Sequence, residues 1–150
     1  TLRRGGKTLV NTMKANGAYT ALVSGGFTAF SVPVGEILGF DEQHANILHE
    51  ENGIFTGQVI DPILGKNEKV NRLKSLVKDR GLSQKDVLAV GDGANDLGML
   101  EIAGMGVAMH PKPIVAEKCD IVINHCDLTS LLYLQGYRKE DFVGPKTNIK

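Results

Sequence analysis

Apolar and polar positions follow two rhythms along this chain, and each change of rhythm marks an element. Leu9, Val10 and Met13 fall on one helical face, and Asn16-Gly17 supplies a stop. The run AYTALV, residues 18–23, gathers strand formers and ends at SGG. Residues 28–38 have helical character, with Pro33 expected to kink that helix or delay its start. Further on, Asn52-Gly53 is a strong turn signal and IFTGQVI after it alternates as a strand does. An antiparallel hairpin is therefore expected over about residues 44–62, inserted into the rest. Between Lys66 and Arg80, Val70, Leu73, Leu76 and Val77 recur at helical spacing, and Gly81 closes the helix. Strands and helices then take turns: DVLAV, NDLGMLEIA, GMGVAM, PIVAEKC, DIVIN, and a last helix in DLTSLLYLQG. The polar residues 137–150 are expected to form a loosely ordered tail.

Short apolar strands alternating with helices predict an α/β domain with a mainly parallel sheet, here over residues 1–136. Ligands of such sheets bind outside the carboxyl ends of the strands. Both Gly-rich turns, VSGG and VGDGAND, fall at that place. Composition adds mostly exclusions. The 150 residues suit one domain, and the 42% hydrophobic and 23% charged shares are ordinary for a globular protein. Lys+Arg and Asp+Glu balance at 17 each, which argues against nucleic acid or a membrane surface as the main partner. No apolar run approaches the ~20 residues of a membrane span, and no signal peptide is visible. Cys119 and Cys126 have neither metal-type nor redox-type spacing, so reduced cysteines in a cytoplasmic protein are expected.

The segment VGDGANDLGM, residues 90–99, concentrates the candidate chemistry. Asp92 directly follows a strand, at the carboxyl edge of the sheet, and Gly91 and Gly93 leave room for a ligand to approach. A capped turn accounts for the glycines and for one of Asn95 and Asp96, but not for Asp92. An oxygen-rich loop is what Mg²⁺ requires, since that ion takes one or two carboxylates together with water and phosphate. Ser24 and the Gly25 N–H hold the matching place in VSGG, as donors to an anionic oxygen or as small residues of a tight turn. Lys66 opens its helix against the local dipole. It is either a solvated surface lysine or one that reaches phosphate and carboxylates. His44, His49, His110 and His125 show no metal-ligand spacing and are read as structural or surface residues.

A strand ending in Ser, a later Lys at a helix start and a strand ending in GDGAND resemble, in that order, the haloacid dehalogenase superfamily of phosphohydrolases. VSGGFT, ENGIFTG, GKNEKVNRL, GDGANDLGMLEIAGMGVAMHPKPIV and HCDLTSLLYLQGY together resemble its phosphoserine phosphatase branch, over nearly all of the chain. The resemblance implies a Rossmann-like parallel sheet. It also implies Mg²⁺-dependent hydrolysis of a small phosphate ester, O-phosphoserine, through an aspartyl-phosphate. Ser24, the Gly25 N–H and Asn95 would then bind phosphate, and Lys66 would offset the crowded negative charge. Asp92 would hold Mg²⁺, and Asp96 would orient Lys66 or a metal-bound water.

One part of that pattern is missing. The superfamily's nucleophile motif, Asp-x-Asp-x-Thr or Val, occurs nowhere, and the first aspartate is Asp41. The helical cap that selects the serine moiety is missing as well. The chain thus resembles a C-terminal portion, expected to be inactive by itself and marginally stable. The central nucleophile strand would lie between the strands at residues 18–23 and 86–90. Without it, those two are expected either to expose an edge each or to pair with one another. Other readings are a phosphatase for a different small phosphate ester or a non-catalytic phosphate-binding module. The phosphorylation domain of a P-type ATPase shares GDG-x-ND, but the hairpin does not fit it.

Overall fold

The computed structural model describes residues 2–61, 63 and 65–144. Pro62, which closes the expected hairpin, and residues 145–150 of the expected tail lie outside the described residues. The helices are α1 (Gly6–Ala15), α2 (Thr28–Leu38), α3 (Lys66–Asp79), α4 (Leu97–Ile102), α5 (Pro113–Ala116) and α6 (Ser130–Leu134). The strands are β1 (Ala21–Phe27), β2 (Glu42–Glu51), β3 (Ile54–Ile60), β4 (Leu88–Gly91), β5 (Met105–Met109) and β6 (Ile121–Ile123). The described residues fall into two compact units, those within 1–62 and 126–144, and those within 63–125.

In the first unit β1, β2 and β3 form a three-stranded sheet in that order. β1 runs parallel to β2 and β2 antiparallel to β3. The hairpin is less separate than the sequence suggests, because its first arm is the second half of a core strand. Residues 42–46 pair with β1, and residues 47–51 carry on past its end to pair with β3. The turn takes Asn52 at φ 51° and Gly53 at φ 78°. Two successive positive φ values match the twist of a tight hairpin, which is why Asn-Gly suits the place. Pro33 sits exposed inside α2 without ending it. Val10 and Thr12 of α1 and Leu131 and Leu132 of α6 are buried. The first residues of the expected tail are anchored: the Val143 N–H donates to the Thr12 hydroxyl at 2.8 Å. Phe142 also tilts against Tyr133 with ring centroids 5.1 Å apart.

The second unit holds the parallel sheet β4-β5-β6. Its middle strand is buried on both faces, Val107 and Ala108 being wholly inaccessible, as a central parallel strand requires. Leu73 of α3, Ala89, Leu100, Ala108 and Val115 form one apolar cluster that joins helices to sheet. Full burial of such a side chain contributes roughly 1.5–3 kcal/mol. β1 and β4 each take an outer position in their own sheet.

Candidate functional site

In the second unit β4 stops at Gly91 and Asp92 follows with its side chain exposed. A 3-10 turn, Ala94–Asp96, then leads directly into α4. Asp96, at the end of that turn, is buried and organises the loop. Its Oδ2 accepts the N–H groups of Asp92 at 3.0 Å and of Gly93 at 3.1 Å. Its Oδ1 accepts from the Lys69 ammonium at 2.5 Å, each side chain being only 7% exposed. Both oxygens are therefore committed, to a buried cation and to two backbone donors. Gly91 is required by this packing, since a Cβ there would lie 2.5 Å from the Asp96 Cβ. Asn95 is exposed, and its Oδ1 folds toward Gly93, 2.8 Å from where a Cβ would stand.

The lysine brought to Asp96 is thus Lys69 and not Lys66. Lys66 does open α3, and it is exposed there. Lys69 lies one turn further on, where α3 faces its own core, and is buried with Leu73. Spacing alone does not separate the two lysines: Lys66 precedes Val70 by four positions and Leu73 by seven, as Lys69 precedes Leu73 by four and Val77 by eight. What distinguishes Lys69 is its burial in the structure, and a buried charge needs a partner.

Ser24 and Gly25 belong to the first unit, and their surroundings differ from the expected strand end. β1 runs on through SGG to Phe27. The register slips there: Val23 faces His44 and Phe27 faces Asn46, so Ser24, Gly25 and Gly26 bulge opposite Ala45. Bulges of this kind re-aim side chains at sheet edges. The Ser24 hydroxyl accepts the Gly26 N–H at 3.0 Å, and its own proton is left to donate elsewhere. The buried Asn46 amide donates to the Gly25 carbonyl at 2.9 Å and holds the bulge in shape. His44 shares a hydrogen bond with Glu42, and His49 with Thr56, in keeping with structural roles.

Among the described residues no three His, Cys, Asp or Glu side chains gather as a metal site. With Asp96 committed, Asp92 is the carboxylate of this loop that can meet a hard cation. One carboxylate fits Mg²⁺ when water, phosphate and at most one further carboxylate complete the shell. No helix among the described residues is long and apolar enough to cross a membrane.

Comparison with known proteins places this geometry in a family. A phosphoserine phosphatase of Streptomyces coelicolor is 39% identical over 140 residues, covering 93% of this chain and 34% of the relative. A crystal structure of a probable phosphoserine phosphatase from Vibrio cholerae superposes with a TM-score of 0.86 at 35% identity, over 91% of this chain and 42% of that one. A substrate-bound phosphoserine phosphatase complex gives a TM-score of 0.84 at 38% identity, over 89% of this chain and 64% of that one. The chain spans from 33% to 61% of the length of such curated relatives. The family model for haloacid dehalogenase-like hydrolases matches residues 1–101, so the chain belongs to the haloacid dehalogenase-like hydrolases.

Proposed function

We propose that these residues are the phosphate- and cation-handling part of an enzyme that hydrolyses O-phosphoserine to serine and phosphate. The observation that carries this reading is the buried Lys69–Asp96 pair, hydrogen-bonded to the backbone of a loop that exposes Asp92. A structural turn would need neither a buried ion pair nor an exposed carboxylate beside it. In this reading Asp92 holds Mg²⁺, which supplies Lewis-acid stabilisation of phosphoryl charge. Asn95 would donate to phosphoryl oxygens in this unit, and the Ser24 hydroxyl and Gly25 N–H of the other unit are read as phosphate donors from their motif alone. Lys69, oriented by Asp96, provides the fixed positive charge first expected of Lys66, and preorganised charge of this kind is usually the largest catalytic term.

The attacking group is an aspartate outside these 150 residues, which contain no Asp-x-Asp pair. Its carboxylate oxygen would displace the serine oxygen from phosphorus, the leaving oxygen taking up a proton. Water would then cleave the aspartyl-phosphate to phosphate and free carboxylate. The choice of phosphoserine rests on the phosphoserine phosphatases this chain resembles at 35–39% identity. Phosphate release from phosphoserine with Mg²⁺ tests the reading in two steps. The chain by itself is expected to release none above background; turnover at the rate of a complete phosphatase would refute the external nucleophile. A protein that carries an Asp-x-Asp segment ahead of these residues is expected to prefer phosphoserine over sugar phosphates. Equal turnover of both would refute the substrate.

A further inference from the structure

The segment His110-Pro111-Lys112-Pro113 has no part in the site described so far. It leaves the carboxyl end of β5, and β5 pairs in register with β4 up to Gly91 and Ala108. The next residues of the two strands therefore start side by side. His110 adopts a left-handed backbone, φ 46°, unusual for a residue with a side chain. Its N–H donates to the Ile123 carbonyl at the end of β6, at 2.7 Å. That reversal returns the chain to β4, where the Lys112 N–H donates to the Asp92 carbonyl at 3.2 Å. The Lys112 carbonyl accepts from Val115 at 2.9 Å and from Ala116 at 3.1 Å, and Val115 is wholly buried. Asp92 is thus tied to the core on both sides of its Cα. Its N–H is held by Asp96 and its C=O by Lys112, while its side chain faces out.

We propose that Lys112 is a positioning residue that acts through its backbone N–H. It fixes the Asp92 peptide so that the carboxylate is presented to a divalent cation in one orientation. The inference rests on the reading of Asp92 as the cation ligand. Its physical basis is preorganisation: a ligand held before binding costs less to order. Partners that orient a metal ligand are typically worth 10–100-fold in affinity.

Lys112 has φ −66°, the value a proline ring imposes, so Lys112→Pro removes the donor with little change of backbone. Lys112→Ala keeps the donor and removes the ammonium. Two quantities are measured by NMR on the 150-residue chain: hydrogen exchange of the Asp92 and Gly93 amides, and the response of the Asp92 amide to Mg²⁺. Urea midpoints serve as the control. The expected result is that Lys112→Pro speeds exchange of both amides and weakens Mg²⁺ about 10-fold or more relative to Lys112→Ala, at equal midpoints. Equal exchange and equal Mg²⁺ affinity in the two variants would overturn the proposal. So would a loss in Lys112→Ala as large as in Lys112→Pro, because the ammonium would then be the acting group. Inorganic phosphate is present with the Mg²⁺; if the two together do not move the Asp92 amide in the unaltered chain, the cation reading fails, and the exchange comparison still decides the clamp. Should Lys112→Pro unfold, His110→Val, which resists a positive φ, is compared in the same assay with His110→Gly, which accepts it. Loss confined to His110→Val supports the clamp, and equal behaviour of the two refutes it.

Discussion

Replacing Lys69 by methionine should be among the most damaging single changes in the second unit. Lys69 and Asp96 meet at 2.5 Å with side chains 7% exposed, so neither is appreciably screened by solvent. Methionine fills most of the lysine stem's volume and leaves the Asp96 carboxylate buried with its two backbone donors but no counter-charge. Removing one partner of a buried pair typically costs about 3–5 kcal/mol, because the remaining charge is uncompensated. Lys66→Met is the built-in comparison. That side chain is exposed at the first position of α3, and its loss should stay within about 0.5 kcal/mol. Urea unfolding followed by circular dichroism reads both. With a slope of about 2 kcal/mol per molar, the Lys69 variant should lose about 2 M of midpoint. Adding Asp96→Asn to Lys69→Met should recover part of the loss by removing the orphaned charge. If Lys69→Met and Lys66→Met shift the midpoint equally, or if Asp96→Asn adds its full cost on top, the pair does not organise the loop.

Three further outcomes follow from the same geometry. Gly91→Ala should cost about 1–3 kcal/mol in urea unfolding, since the added methyl would stand 2.5 Å from the Asp96 Cβ. A neutral result would mean that Asp96 does not pack there. Gly53→Ala meets no steric obstacle but must keep φ near 78°, and should destabilise by about 1–2 kcal/mol; no change would contradict the hairpin turn. Acid should weaken the first unit through Asp41 and Asp127. Burial raises the Asp41 carboxyl, but the Thr20 N–H and hydroxyl and the Lys14 ammonium outweigh it and hold it below its ordinary 3.8. The Thr129 hydroxyl chiefly holds Asp127 below 3.8, assisted against burial by the Thr129 N–H and Arg4. A carboxyl lowered on folding contributes stability above its unfolded value and loses it as pH falls through its folded value. The urea midpoint should therefore fall below about pH 4. It should fall less steeply in Asp41→Asn/Asp127→Asn, and an equally steep fall in that variant would refute the assignment.

Much of this architecture was legible in the sequence because its signals are local. The Asn52-Gly53 turn, the glycine stop after α1 and the period of α3 each follow from a few neighbouring residues. What local pattern could not supply was pairing. Nothing near SGG says that Asn46, more than twenty positions away, grips the Gly25 carbonyl and lets β1 continue as a bulge. Nothing near the hairpin says that β2 first serves a parallel sheet. The partner of Asp96 was hidden for the same reason. Lys66 and Lys69 both stand at helical spacing from the apolar positions of α3, and opposing a helix dipole singled out Lys66 by only a few tenths of a kcal/mol. Only the packing of α3 shows which of them is buried against Asp96.

The central claim is that Lys69, held by Asp96, and not Lys66, supplies the positive charge for phosphoryl transfer. It is tested most directly by phosphate release from phosphoserine in a protein that carries an Asp-x-Asp segment ahead of these 150 residues. Lys69→Ala should lower kcat/KM by about 100-fold or more, in line with the ~3 kcal/mol typical of a lost transition-state donor. Lys66→Ala should stay within about twofold of the unaltered protein. A near-normal rate for Lys69→Ala with a collapse for Lys66→Ala would contradict the account.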